Sequence, residues 1–204
     1  MSRRKVLPEK EAAKIIWHIF YAQHDLSLHQ IIHRDLKPKN IGLHFDGLDN
    51  EQAQDDDFFQ KINFVSNDGS FHVKLFDLNF AELADKNGFG SYSTSGTPLY
   101  SSPEQLRGGF QTHNSDMFSV GCIFYELLTG RRPFWGESRA KIIESQKRKI
   151  SASEFDPPIS SENFQLIKKC LKPISFQRFS IAKIIQDKTK RTQSQQEFSN
   201  FIQS

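Results

Sequence analysis

The sequence predicts a mainly helical fold of the α+β type: a bundle of helices around one buried central helix, with a small β-hairpin element beside it. Three observations carry this. Residues 116–129, "DMFSVGCIFYELLT", are apolar around the whole helix rather than along one stripe, which places that helix inside a core. Residues 8–24 repeat Ala12, Ile15, Ile16, Ile19 and Phe20 at helical spacing, giving one buried face. "IGLHF" and "FHVKLF" read as short strands, near residues 41 and 75.

In chain order, Pro8 fits the first position of the first helix, and Glu9 and Glu11 favour its positive end. "HQIIHRDLKPKN" follows; Pro38 discourages further helix, so the segment reads as a loop entering the strand "IGLHF". "DGLDNEQAQDDDFFQ" is acidic and turn-rich, an exposed insert within 41–74. "KINFVS" and "FHVKLF" flank "NDG", a strong hairpin-turn signal. Residues 79–98 shift to Gly, Ser, Thr and Asn and read as a long loop. The central helix is expected to be capped at Asp116 and closed at Gly130. Further helices are expected near 137–149, 161–171 and 180–188, and a polar tail occupies 189–204.

Composition narrows the class. The 204 residues are 37% hydrophobic and 25% charged, the balance of a globular protein of one domain or one large lobe. A net charge of +3 argues neither for nor against nucleic acid or membrane, and the basic run over 131–150 reads as a solvated helix face. Cys122 and Cys170 are far apart, without zinc or disulfide spacing. No apolar run has the length of a signal peptide or a membrane span, so an intracellular, cytoplasmic location is expected.

"HRDLKPKN", residues 33–40, resembles the catalytic loop of eukaryotic protein kinases, H-R-D-L-x-x-x-N. "LFDLNFA" resembles the metal-binding DFG segment and "SGTPLYSSPEQL" the end of the activation segment. "SDMFSVGCIFYELLTGRRPF" is similar to the central helix of the larger lobe, and "CLKPISFQRFS" is a weaker match to the arginine-bearing segment near its end. The resemblance runs in the family's order and identifies residues 1–188 as the C-terminal lobe of a serine/threonine kinase domain.

The resemblance implies transfer of the ATP γ-phosphate to Ser or Thr of a protein substrate, with magnesium. Such chemistry needs in-line positioning and charge neutralisation more than covalent help. Asp35 would accept or orient the proton of the attacking hydroxyl and Lys37 would steady the phosphate. Asn40 and Asp77 would hold magnesium, and Ile123 and Leu127 would pack beneath the adenine. Arg34 would receive a phosphate from the activation segment, with Ser91, Ser93, Thr94 and Ser95 as candidate acceptors. Lys37 and Thr97 favour Ser/Thr over Tyr. His33, Glu104, Asp116 and Arg178 take structural roles: Asp116 accepting backbone N–H groups from the loop, Glu104 and Arg178 as an ion pair.

The chain departs from the family pattern at several positions. The glycine-rich loop, the lysine that grips the α- and β-phosphates, its glutamate partner and the adenine hinge are not among these residues. Without two or three charged contacts at about 1.5–3 kcal/mol each, ATP binding by this lobe is expected to weaken at least roughly a hundredfold. An N-terminal lobe or a regulatory partner would complete the site. The alternative is a pseudokinase-like binding module without catalysis. Leu78 replaces the DFG phenylalanine as an apolar plug, and Asn79 replaces the glycine, as the residue next most tolerant of left-handed backbone. Gly42 stands where a bulky apolar residue usually lies under adenine. "GFGSYS" at 88–93 only partly matches a phosphate-cradling loop and is read as not binding phosphate.

Overall fold

The computed structural model describes residues 6–45 and 71–186. The acidic insert beyond residue 45, "KINFVS", the "NDG" turn and the polar tail lie outside the described residues.

Helix α1 spans Glu9–Leu28, one turn longer than its apolar stripe. No Gly or Pro interrupts the stretch after residue 24, and the Ser27 hydroxyl returns to the His24 carbonyl at 2.7 Å. Pro8 is the cap residue rather than the first helical one. Ala12, Ile15, Ile16, Ile19 and Phe20 form the buried face, as the spacing predicts. A chain reversal at Gln30, φ 58°, leads into strand β1, Ile31–Ile32.

Strands β2, Ile41–Phe45, and β3, Phe71–Leu75, pair antiparallel with Ile41 opposite Leu75. A second pair was not legible: β1 joins β4, Glu82–Leu83, with Ile32 opposite Glu82. It pins the supposed long loop to the start of the catalytic-loop segment. Helix α2, Pro103–Leu106, is capped reciprocally by Ser102 and Gln105.

The central helix α3 spans His113–Thr129, and every residue from Ser115 to Leu128 is buried. Its cap is Thr112, in a reciprocal arrangement with Ser115, so the expectation of a cap at Asp116 is wrong by one turn. Thr112 caps through its hydroxyl and the reciprocal bond from Ser115, and this places Asp116 inside the helix, where its carboxylate is directed at the loop. Gly130 ends the helix at φ 66°, as expected.

Helices α1 and α5, Ser161–Cys170, pack on α3. The α3–α5 contact is close at Gly121: a Cβ there would lie 2.8 Å from Cys170 Cβ and 2.9 Å from Leu171 Cδ2. Helix α4, Arg139–Ser145, is shorter than expected and carries a Ser138 cap. In the basic region, Lys141, Lys147 and Arg148 pair with Glu137, Glu144 and Glu154, consistent with a solvated ionic face. Residues 181–186 are helical. Ile15, Phe20, Phe71, Phe118, Ile123, Phe124, Phe134 and Ile167 fill one continuous core, each fully buried large side chain contributing about 1.5–3 kcal/mol. No described helix is long and apolar enough to cross a membrane.

Candidate active site

The segment after β1 carries the densest polar chemistry in the fold, held from below by α3. Arg34 is left-handed at φ 70°, so the N–H groups of His33 and Arg34 converge on one carboxylate. They donate to Asp116 Oδ2 at 2.8 Å and Oδ1 at 2.9 Å. Burial pushes the Asp116 carboxyl up, to about 6. Gly96, at φ 100°, backs directly on the same turn; a Cβ there would lie 2.5 Å from the Arg34 carbonyl oxygen.

His33 is fully buried and fixes the next step of the loop. The Phe76 carbonyl can only accept, so Nε2 of His33 carries the proton across that 3.0 Å contact. Nδ1 is then the acceptor for the Asp35 N–H at 3.4 Å. Phe76 N–H in turn donates to the Asn40 carbonyl at 2.9 Å, so the end of β3 and the loop hold each other.

Asp35 is buried, with three side chains on its carboxylate. Thr97 Oγ1 donates to Oδ1 at 2.7 Å; Lys37 Nζ and Asn40 Nδ2 donate to Oδ2 at 2.5 and 3.2 Å. Lys37 also donates to Thr97 Oγ1 at 2.9 Å, closing a triangle of base, cation and hydroxyl. Asn40 Nδ2 bonds the Asp35 carbonyl too, at 2.9 Å. Its amide nitrogen is thereby committed inward. Sequence reasoning named Thr97 with Lys37 only as a mark of Ser/Thr preference, not as the donor that orients Asp35.

Asp77 lies directly after Phe76, exposed and left-handed at φ 61°. Asn79 lies within the 3-10 turn Leu78–Phe80, and the left-handed residue here is the residue before that turn, Asp77. Leu78 is 50% exposed rather than an apolar plug. Ile123 and Leu127 are wholly enclosed in the core, so they offer no surface for contact with a nucleotide and support the site only from beneath. The space at Gly42 is filled: an added Cβ would lie 2.1 Å from the Phe76 ring.

Arg34 points to the activation-segment side. Its guanidinium bonds Glu82 through Nη1 and Ser95 Oγ through Nη2, the latter at 2.6 Å. Of the four candidate hydroxyls, only Ser95 meets Arg34 directly. Ser91 bonds Glu82, and Ser93 Oγ accepts the Ser95 N–H at 3.1 Å. Thr94 is exposed, its carbonyl accepting from Arg139. Glu82 was missed; its signal was only that it is the one acid between Asp77 and Asp85. In the "GFGSYS" stretch, the N–H groups of Gly88, Phe89, Gly90 and Ser91 all donate to protein oxygens.

Glu104 and Arg178 form the expected pair, with bonds of 2.6 and 2.8 Å in a fork. Burial by itself raises the Glu104 carboxyl, but the Arg178 guanidinium, by hydrogen bond and charge, more than reverses this and leaves it below the usual carboxylate range. The pair closes the segment from Thr97 to α2 against the far side of the bundle.

Comparison with known proteins agrees with this geometry. The model of the protein kinase domain matches residues 1–189. Serine/threonine-protein kinase 36 of Pongo abelii is 34% identical over 137 residues, covering 67% of this chain and 9% of that protein. Serine/threonine-protein kinase PrkC of Bacillus subtilis is 32% identical over 179 residues, covering 86% of this chain and 24% of that one. Serine/threonine-protein kinase fused of Drosophila melanogaster is 30% identical over 147 residues, covering 72% and 15%. The chain thus spans a quarter or less of the length of these relatives. With its catalytic loop, its ion pair and its central helix in the family's arrangement, the chain belongs to the protein kinase family, of the serine/threonine type.

Proposed function

We propose that this chain carries the catalytic loop for transfer of the ATP γ-phosphate to Ser or Thr hydroxyls of a protein substrate. The observation that carries the reading is the state of Asp35. An ionised carboxylate offers roughly four lone-pair sites, and Thr97, Lys37 and Asn40 occupy three of them here. The remaining one is the place for a substrate O–H, whose proton Asp35 takes as the hydroxyl attacks. Thr97 and Lys37 keep the carboxylate from turning away, and Lys37, 21% exposed, keeps its cation beside the path of the phosphate. Thr97 beside Lys37 supports a Ser or Thr substrate over Tyr.

The donor set fits magnesium. Asn40 commits its nitrogen to Asp35 and has its amide oxygen left to offer, while Asp77 presents an exposed carboxylate; both are hard oxygen donors. Magnesium held there would neutralise charge on the phosphates. Grip on the α- and β-phosphates and on adenine would come from an N-terminal lobe or a partner. The substrate is a protein; no feature calls for nucleic acid or membrane.

Thermal melting tests this. With an N-terminal kinase lobe supplied, ATP with magnesium is expected to raise the melting temperature, ATP with EDTA is not, and Asp77→Asn should lose the rise. A folded chain that shows no magnesium-dependent rise would favour the binding-module reading over catalysis.

A further inference from the structure

Arg34 is 8% exposed, so its charge needs a partner inside the fold. Glu82 supplies one. The same carboxylate also accepts the Ser91 N–H at 3.0 Å and the Ser91 hydroxyl at 2.9 Å. Glu82 thus ties together β4, the catalytic loop and the turn at Ser91. Beyond that turn, Gln111 Nε2 donates to the Ser93 carbonyl at 2.6 Å, and Gln111 O accepts the Gly90 N–H at 2.8 Å. Gln105 closes the network, donating to the Arg34 carbonyl at 3.0 Å and to Gln111 Oε1 at 3.3 Å. The segment from Glu82 to Thr97 is therefore tied to an arginine whose charge Glu82 neutralises.

We propose that Glu82 is a positioning residue: a built-in counter-anion that holds Arg34 and residues 82–97 in place without phosphorylation. A phosphoryl group would bring a charge of about −1.5 to −2 at pH 7. On Ser91 it would replace a hydroxyl that donates to Glu82 and set two anions side by side. On Ser95 it would compete with Glu82 for one guanidinium. The regulatory meaning of this pair rests on the kinase reading above, whereas the structural effect of Glu82 can be read without catalysis.

Hydrogen exchange is the test, on the full chain treated with phosphatase and checked for zero phosphate by intact mass. The reporters are the Gly90 and Ser95 amides, whose acceptors are Gln111 O and Ser93 Oγ rather than Glu82. Wild type should keep both protected. Glu82→Gln, which keeps shape and removes charge, should exchange about tenfold or more faster, since a charge-assisted bond becomes a neutral one. Adding Ser95→Asp to Glu82→Gln should restore most of the protection, because it gives the Arg34 guanidinium an anion again, at Nη2 in place of Nη1. Protection that disappears on phosphatase treatment, or that is unchanged in Glu82→Gln, overturns the proposal. Failure of Ser95→Asp to restore it would reduce Glu82 to a packing contact and overturns it too. If the exchange pattern holds while no phosphate transfer is found even with an N-terminal kinase lobe supplied, the counter-anion stands and the kinase reading falls.

Discussion

Arg178→Met removes the most heavily used cation in the fold. The Arg178 side chain is fully enclosed, and besides the two bonds to Glu104 it donates to the carbonyls of Lys172 at 2.7 Å, Asn114 at 2.8 Å and Pro173 at 3.1 Å. Its guanidinium also lies 5.0 Å from the centre of the Phe118 ring. Methionine would keep much of the volume but would leave three carbonyls short of a donor and the Glu104 carboxylate without a counter-cation, the Ser115 hydroxyl staying at 2.9 Å. Breaking a buried pair from one side destabilises by about 3–5 kcal/mol. Glu104→Gln, which leaves the guanidinium its three carbonyls, should lose less, about 1.5–3 kcal/mol. The double variant should therefore recover part of the loss, with a coupling of about 1–3 kcal/mol. Urea unfolding, followed by circular dichroism, measures all three. An Arg178→Met loss under about 1 kcal/mol, or no coupling, would refute the reasoning. The pair also sets an acid limb. Glu104 titrates below its usual 4.5 when folded, so the unfolded chain takes up its proton first as pH falls. Its stabilisation is complete above that value and is lost as pH drops through the folded one; in Glu104→Gln this loss should be missing.

Two further predictions follow from single contacts. Asp116→Asn leaves either the His33 or the Arg34 N–H facing an amide N–H, and should lower stability by about 2–3 kcal/mol in the same urea assay. Its pH effect has the opposite sign to that of Glu104: a carboxyl raised to about 6 stabilises fully below its unfolded value near 3.8 and less as pH rises through 6, so this decline should be absent in the variant. Gly42→Leu should destabilise by about 1 kcal/mol or less, because the half-exposed Phe76 ring can swing away from the collision, and combining it with Phe76→Ala should remove that loss in thermal melts.

How much of this was legible in the sequence depended on whether the signal was local. The central helix announced itself, because a run apolar on every face has only one place to go, and α1 did so through its stripe. The catalytic loop was legible as a string of residue types at fixed spacing. The role of Asp116 was half legible: an Asp near a helix start reads as a cap, and only the fold shows that Thr112 caps while Asp116 reaches the loop. The β1–β4 pair has two residues per strand, too short for any periodicity, and Glu82 became visible only because that pair carries it to Arg34. Phe76 over Gly42 is a contact between residues 34 positions apart, for which the sequence has no local mark.

The most direct test of the central claim is transfer of labelled phosphate from Mg-ATP to a generic serine/threonine substrate, comparing the purified chain with Asp35→Asn. With an N-terminal kinase lobe supplied, the account predicts transfer that is lost in Asp35→Asn, with circular dichroism and urea unfolding showing the variant folded. Transfer that survives the substitution would contradict the assignment of Asp35 as base. No transfer from a folded wild-type chain, even with an N-terminal kinase lobe supplied, would contradict catalysis.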